Sequence, residues 1–250
     1  MQISRRILNY FPRFKFLLKS VYYRLHGLLP VSYSKINKDI IQECVNKDDP
    51  VILEIGCNDG SHSLWFLEIF DNPQVYCFEP DPRAIQRFKT KVGQRSNINL
   101  FEIALCDHNG EVDFYKSGGH PNEKQAKAMP EGWDLSGSIR QAKKHLIQHP
   151  WVTFDQKITV MASTLDSWCD KHDIGEIDFI WMDVQGAKND VFKGGINTLA
   201  KTQFLYTEYS DKELYKGQWN LIKLIKLLKV FEAIIIYPGD VLLRNKKLVE

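Results

Sequence analysis

The chain has 250 residues, 44% hydrophobic and 26% charged, ordinary proportions for a soluble globular protein and enough for one α/β domain with an extension. The net charge of +2 points to no particular partner, but it is unevenly spread: residues 1–30 hold Arg5, Arg6, Arg13, Lys15, Lys19 and Arg24 and no acid, while the other 220 hold 27 basic groups against 31 acids, a net of −4. The five cysteines, Cys44, Cys57, Cys77, Cys106 and Cys169, are scattered, odd in number and without a Cys-x-x-Cys pair, which argues against a disulfide framework and a zinc site and suits a reducing, cytoplasmic setting. No apolar run approaches the roughly 20 residues of a spanning helix, and Arg13, Lys15 and Lys19 interrupt any signal-peptide core.

Residues 1–30 read as an amphipathic, basic arm, with Ile3, Ile7, Phe11, Phe14, Leu18, Val21 and Leu25 at helical spacing and Pro12 breaking the helix. A short helix over 36–46 leads into the domain, so the expected division is an extension over 1–47 and a domain over 48–250. Alternation then begins: a strand at 51–56, a helix at 61–70, a strand at 74–79 and a helix from Pro82 to about residue 92. A strand at 98–104, the turn Asp107-His-Asn-Gly110 and a short strand at 111–115 follow. Residues 116–150 break the pattern as a polar insert rich in glycine and proline, a length that points to function or disorder. Regular structure resumes with a strand at 157–161, a helix at 163–171, a strand at 177–183 and a helix at 188–199. A strand at 203–209, a helix at 212–228 and a hairpin of strands at 231–237 and 241–246 complete the chain. Strands alternating with helices predict an α/β fold: a mostly parallel seven-stranded sheet, covered by helices on both faces, with a terminal antiparallel hairpin.

Sites in such sheets lie at the carboxyl ends of the strands, near the switch in strand order. Gly56, Glu79, Ala104, Asp183 and Glu208 all fall at predicted strand ends. Gly56 and Gly60 bracket the turn after the first strand and let a ligand approach the backbone. Glu79, at the end of the second strand, can accept from both hydroxyls of a ribose. A dinucleotide site usually shows Gly-x-Gly-x-x-Gly, but the middle position here is Asn58, which tilts the reading towards an adenosine cofactor without phosphates, S-adenosylmethionine. Gly56, Asn58 and Ser61 are then candidates for its methionine end, and Ala104, Leu105, Cys106 and Asp107 for its adenine. Asp107 is explained nearly as well as a turn residue. Asp183 ends a buried strand, where a carboxylate needs partners; it is a cofactor-binding candidate, to hold the cofactor amine, and the first choice for a base or for orienting an acceptor. Glu208 is a candidate contact to an acceptor hydroxyl, with a lysine-paired loop acid the equal alternative. His145, in the insert, is the second choice of base, and Ser138 is a candidate contact to cofactor or acceptor. No spacing demands a metal.

Taken together, Glu54-Ile-Gly-Cys-Asn-Asp-Gly60, Phe78-Glu-Pro-Asp-Pro82, Ala104-Leu-Cys-Asp107, Thr164-Leu-Asp166, Asp178-Phe-Ile-Trp-Met-Asp-Val-Gln-Gly-Ala187 and Thr207-Glu-Tyr-Ser210 resemble the FkbM-type S-adenosylmethionine-dependent methyltransferases. The likeness covers about residues 50–237. It implies a class I, Rossmann-like methyltransferase fold and O-methylation of a sugar, glycan or other natural product. It adds Glu54, Asp59, Gly60 and Pro80 to the expected cofactor-binding set. Glu54 and Cys57 stand where the family commonly has Asp and Ala, and Lys188 where it often has Glu.

Two other readings compete: a nicotinamide-dependent oxidoreductase, which the missing glycine disfavours, and a non-catalytic methyltransferase-like binding protein. The expected partner is a small-molecule or glycan acceptor, not nucleic acid, because basic charge is not spread over the domain. The arm at 1–30 is expected either to touch an anionic membrane surface or to pack on the domain or a second subunit, as in a homo-oligomer.

Overall fold

The computed structural model describes residues 20–23, 25, 32 and 35–249 of the chain. In chain order, α1 (Lys38–Val45) leads into β1 (Val51–Ile55), α2 (Ser61–Ile69), β2 (Gln74–Phe78), α3 (Pro82–Val92) and β3 (Ile98–Phe101). The short β4 (Ala104–Cys106) and long β5 (Gly110–Gly119) come next, then two short helices of the insert, α4 (Glu123–Ala128) and α5 (His145–Gln148), and β6 (Val152–Thr164). The second half runs α6 (Leu165–Lys171), β7 (Ile177–Met182), α7 (Lys188–Lys193), α8 (Ile196–Ala200), β8 (Thr202–Glu208), α9 (Leu221–Leu227), β9 (Phe231–Ile236) and β10 (Asp240–Asn245).

Seven strands form one sheet in the order β3-β2-β1-β7-β8-β10-β9. Only β10 runs antiparallel to its neighbours β8 and β9; the other pairs are parallel. This is the expected fold class, the class I methyltransferase arrangement with its terminal hairpin. The strand order reverses between β1 and β7, and that switch locates the crevice.

The alternation of side chains along each strand builds two cores. On one face Leu53, Ile55, Ile180 and Met182 pack with Trp168 of α6, Val191 of α7 and Leu221 of α9. On the other, Ile52, Phe179 and Trp181 pack with Ile41 of α1, Phe66 of α2 and Phe88 of α3. Every residue of β7 is buried, as a central strand covered on both sides requires. Helix α3 shows how local chemistry sets one element. Asp81 caps it by accepting from the Arg83 amide, Pro82 takes the first turn, and Ala84, Ile85, Phe88 and Val92 form its buried stripe. At about 1.5–3 kcal/mol per large buried side chain, that stripe contributes more than the cap.

The structure differs from the sequence reading in three places. First, the predicted strand 98–104 is two strands: β3 stops at Phe101, and Ala104 opens β4, which pairs with β6 in a separate three-stranded sheet, β4-β6-β5. Strands β5 and β6 are far longer than the short runs predicted, because they satisfy each other's backbone groups although their side chains are mostly half exposed. Second, the predicted helix 188–199 breaks at Gly194-Gly195. A Cβ on Gly194 would lie 2.1 Å from the Cys106 carbonyl oxygen, so the backbone passes too close to β4 for a side chain. Third, the predicted helix 212–228 shrinks to α9, which begins where Asn220 caps it by accepting from the Lys223 amide. Helix α1, in the expected extension, packs Ile41 and Val45 into the core shared with β1.

Of the basic arm, most lies outside the described residues. Tyr23 is buried, packs edge-on against Tyr209 at 6.1 Å and donates to Asp211 Oδ1 at 3.3 Å, so this part of the arm docks on the domain. No described helix is long and apolar enough to cross a membrane.

Candidate active site

A cavity of about 290 Å³ opens at the carboxyl ends of β1, β2, β7 and β8. Gly56, Asn58, Glu79, Pro80, Ala104, Leu105, Ser138, Asp183 and Glu208 line it, so nine residues singled out from the sequence come together. Phe78, Ile103, Phe114 and Leu135 add an apolar wall.

Gly56 holds the crevice tight. Its φ of +85° is open to glycine, and a Cβ there would sit 2.0 Å from the Asp183 carbonyl oxygen. The loops after β1 and β7 therefore touch backbone to backbone. Gly56→Ala should cost about 3 kcal/mol, combining backbone strain with the clash. Urea denaturation measures it, and a loss under about 0.5 kcal/mol would show that the turn relaxes freely.

Glu79 is buried, and its carboxylate accepts from two backbone amides, Asn58 N at 2.9 Å and Asp81 N at 2.9 Å. Burial nevertheless pushes its carboxyl up to about 8. The side chain is thus locked in orientation and short of donors, which suits a ligand bringing two hydroxyls.

Sequence reasoning missed Asp134, which lines the same cavity from the insert. Its carboxylate pairs with Arg87 of α3 and accepts from Asn58 Nδ2 at 3.4 Å, while Arg87 also donates to Asn58 Oδ1 at 3.2 Å. Burial raises the Asp134 carboxyl despite that arginine. A lone aspartate in an irregular stretch carries no periodic signal. Asp134, Leu135, Gly137, Ser138 and Ile139 of the insert wall the cavity, Asp134 against Asn58.

The insert is tied down around Ser138. Its backbone bridges Tyr115, and its hydroxyl donates to the Gln185 carbonyl at 2.7 Å and accepts from Arg140 N at 3.0 Å. Arg140 forms a two-pronged ion pair with Asp190 of α7. Ser138 therefore serves first as a strap.

At the far end of the cavity lie the acids. Asp183 accepts from Gln185 Nε2 at 2.7 Å, and the pairing of Met182 with Thr207 across β7 and β8 sets Glu208 next to it. Burial, then the charge of Asp183, pushes Glu208 up to about 8, while Lys188 acts the other way. By contrast Asp178, at the opposite end of β7, is satisfied by Val51 N, Gln203 Nε2 and Lys47 Nζ and reads as structural.

Six expected site residues lie off the cavity wall. Glu54 is fully buried beneath the loop, bonded to Ser63, with its carboxyl raised to about 8 by burial. Gly60 packs under Phe88 and Val92. Asp59 and Ser61 bond each other at the surface, where Lys91 joins them. Asp107 turns away from the cavity and pairs with His108 at 3.0 Å, because Ala104 enters the second sheet rather than ending β3. His145 is buried in the insert against His149 and Tyr215, and burial drives its ring down to about 4. Among the described residues Cys106, Asp107 and His108 are the group that brings three metal-ligating side chains together, and hydrogen bonds among them account for the arrangement.

Three raised carboxyls set a pH dependence. Glu54, Glu79 and Glu208 each stand near 8 in the folded state, against about 4.3 unfolded. Their stabilisation is complete below the unfolded value and is lost as pH rises through about 8. His145, lowered by burial, works in the opposite sense but is neutral in both states above about pH 6.5. Thermal melts should therefore fall from about pH 6.5 to about pH 8.5, and a flat or rising Tm over that window would show these carboxyls ionised in the fold.

A family model described as "Methyltransferase FkbM domain" matches residues 54–235. The 2-O-methyltransferase NoeI of Sinorhizobium fredii (strain NBRC 101917 / NGR234) is 49% identical over 223 residues, covering 88% of each chain. Among solved structures, an rRNA methylase from Streptococcus thermophilus aligns with a TM-score of 0.44 and 10% identity over 85% of this chain and 99% of that one. Precorrin-6y C5,15-methyltransferase from Geobacter metallireducens GS-15 aligns with a TM-score of 0.42 and 11% identity over 85% and 91%. Likenesses this distant decide nothing about the site.

Proposed function

Because this chain belongs to the FkbM methyltransferase family, as 49% identity to a 2-O-methyltransferase and the domain match establish, we propose that its cavity binds S-adenosylmethionine and directs the methyl group to a sugar hydroxyl, in the manner named for that relative. Family membership sets aside the nicotinamide reading. The observation that carries the proposal is the pairing of a locked Glu79 at one end of the cavity with the Asp183–Glu208 carboxyls at the other.

The residues present fit the cofactor. Glu79 would take the ribose hydroxyls, the apolar wall of Phe78, Ile103 and Leu105 would take adenine, and Gly56 and Asn58 would offer backbone to the methionine end. When bound, the cofactor supplies an electrophilic methyl on a sulfonium. The chain's own task is alignment and proton removal. Asp183, oriented by Gln185, and Glu208 beside it would hold the acceptor hydroxyl and receive its proton. A base whose proton affinity lies near neutral pH is the kind this step favours.

Calorimetry with S-adenosylhomocysteine, followed by transfer of labelled methyl to neutral glycosides and location of the product methyl by mass spectrometry, tests the reading. Micromolar binding and a methyl ether are expected. Absence of binding at about 1 mM (a free energy near −4 kcal/mol) would sink it.

A further inference from the structure

Asn58 stands at the middle position where a dinucleotide site usually has glycine, and its side chain has a use that glycine could not serve. Its φ is +46°, in the left-handed region that asparagine tolerates better than most side chains. Its backbone amide donates to Glu79 Oε2 at 2.9 Å. Its side chain is engaged at both ends: Nδ2 donates to Asp134 Oδ1 at 3.4 Å, and Oδ1 accepts from Arg87 Nη2 at 3.2 Å. The same nitrogen of Arg87 is ion-paired with the other oxygen of Asp134. Each member of the trio bonds the other two. The ring so formed joins the loop after β1, helix α3 and the insert.

The ring is placed to bear on the cavity. The Asp134 side chain is fully buried and that of Arg87 is 32% exposed, so neither charge can be removed without stranding the other. Asn58, Glu79 and Asp134 all line the cavity. The insert is fastened a second time where Ser138 Oγ donates to the Gln185 carbonyl and Arg140 pairs with Asp190. Between the two fastenings, Leu135 and Gly137 are cavity wall. Asn58 is therefore a pin between that wall and the amide that orients Glu79.

We propose that Asp134 is a positioning residue for the cofactor: with Arg87 it holds the Asn58 side chain, and so keeps the Asn58 amide on Glu79. The acid acts through Asn58, without touching the ligand. The proposal rests on the adenosyl-cofactor reading above. An insert that lifts would release Asn58 from its turn, and Glu79 would lose one of its two amide donors. By the reciprocity of linked equilibria, a ligand fastened to Glu79 holds the insert down.

The test is a cycle of variants. Asn58→Gly cuts the ring and keeps the turn, since glycine takes a positive φ at no steric cost, and it leaves Asp134 and Arg87 paired. Calorimetry with S-adenosylhomocysteine is run on the full-length protein, Asn58→Gly, Asp134→Asn and the double variant. Each single change should weaken binding about tenfold, the scale of coupling within one hydrogen-bond network, and the double variant should be no weaker than the singles. Native affinity in folded Asp134→Asn overturns the proposal. A further tenfold loss on adding Asp134→Asn to Asn58→Gly also overturns it, because the acid would then act by another route. Should Asp134→Asn not fold, Asp134→Asn with Arg87→Gln, which strands no charge, takes its place in the cycle. A native protein that binds nothing at about 1 mM rejects the cofactor reading itself. Urea denaturation of the same proteins then decides the ring: non-additive losses of stability uphold it and additive ones overturn it.

Discussion

Replacing Glu79 with alanine should weaken S-adenosylhomocysteine binding about 100-fold, roughly 3 kcal/mol, as expected for loss of two charge-assisted hydrogen bonds to a ribose. The same change strands the Asn58 and Asp81 amides that now donate to this carboxylate, so the loop after β1 should loosen too. Glu79→Gln keeps one acceptor and should fall between. Burial holds the carboxyl near 8, and hydroxyl donors favour its charged form, so ligand binding near neutral pH should release protons. Calorimetry in buffers of different ionisation heat reads that release. Native affinity in a folded Glu79→Ala protein would remove Glu79 from the ribose site.

Asp183→Asn and Glu208→Gln should each lower turnover by about 10²–10⁴-fold, the range for loss of a general base, with little change in cofactor affinity. The charge of Asp183 acts on Glu208, so the double variant should be little worse than either single one. Turnover in the native enzyme should rise with pH as the pair ionises and level off above about 8, the value to which burial and Asp183 push Glu208. Additive losses, or a pH profile unmoved by Glu208→Gln, would mean that the two acids do not share the proton. An Asp183→Asn protein with native turnover would exclude it as the group receiving that proton.

Much of the framework is legible in one dimension because it depends on periodicity. The fully buried run Ile177–Met182, the glycine-bracketed loop after β1 and the Asp81-Pro82 cap each declare themselves through neighbours in sequence. Gly56, Glu79, Ala104, Asp183 and Glu208 line one cavity because strand ends in such a sheet all point to one edge. The misses share a cause. Gly194-Gly195 sits within a helical pattern, and only the passage of β4 across it forbids a straight helix. Strands β5 and β6 bury few side chains, so their sequence gives no clean alternation and their pairing alone stabilises them. His145 has the right chemistry for a base, but its ring faces His149 and Tyr215 rather than the cavity.

The sequence by itself determined the family, the order of the elements and the ends of the cavity, since these follow from short-range patterning: glycines where the backbone turns, apolar runs where strands are buried, an acid where each strand stops. The tertiary structure alone decided which charges meet. Asp134 reaches Asn58 and Arg87 across an irregular insert, and Glu208 comes opposite Asp240 only because β8 and β10 pair. Charges interact through distance in space and through the medium between them, and neither is encoded by separation along the chain.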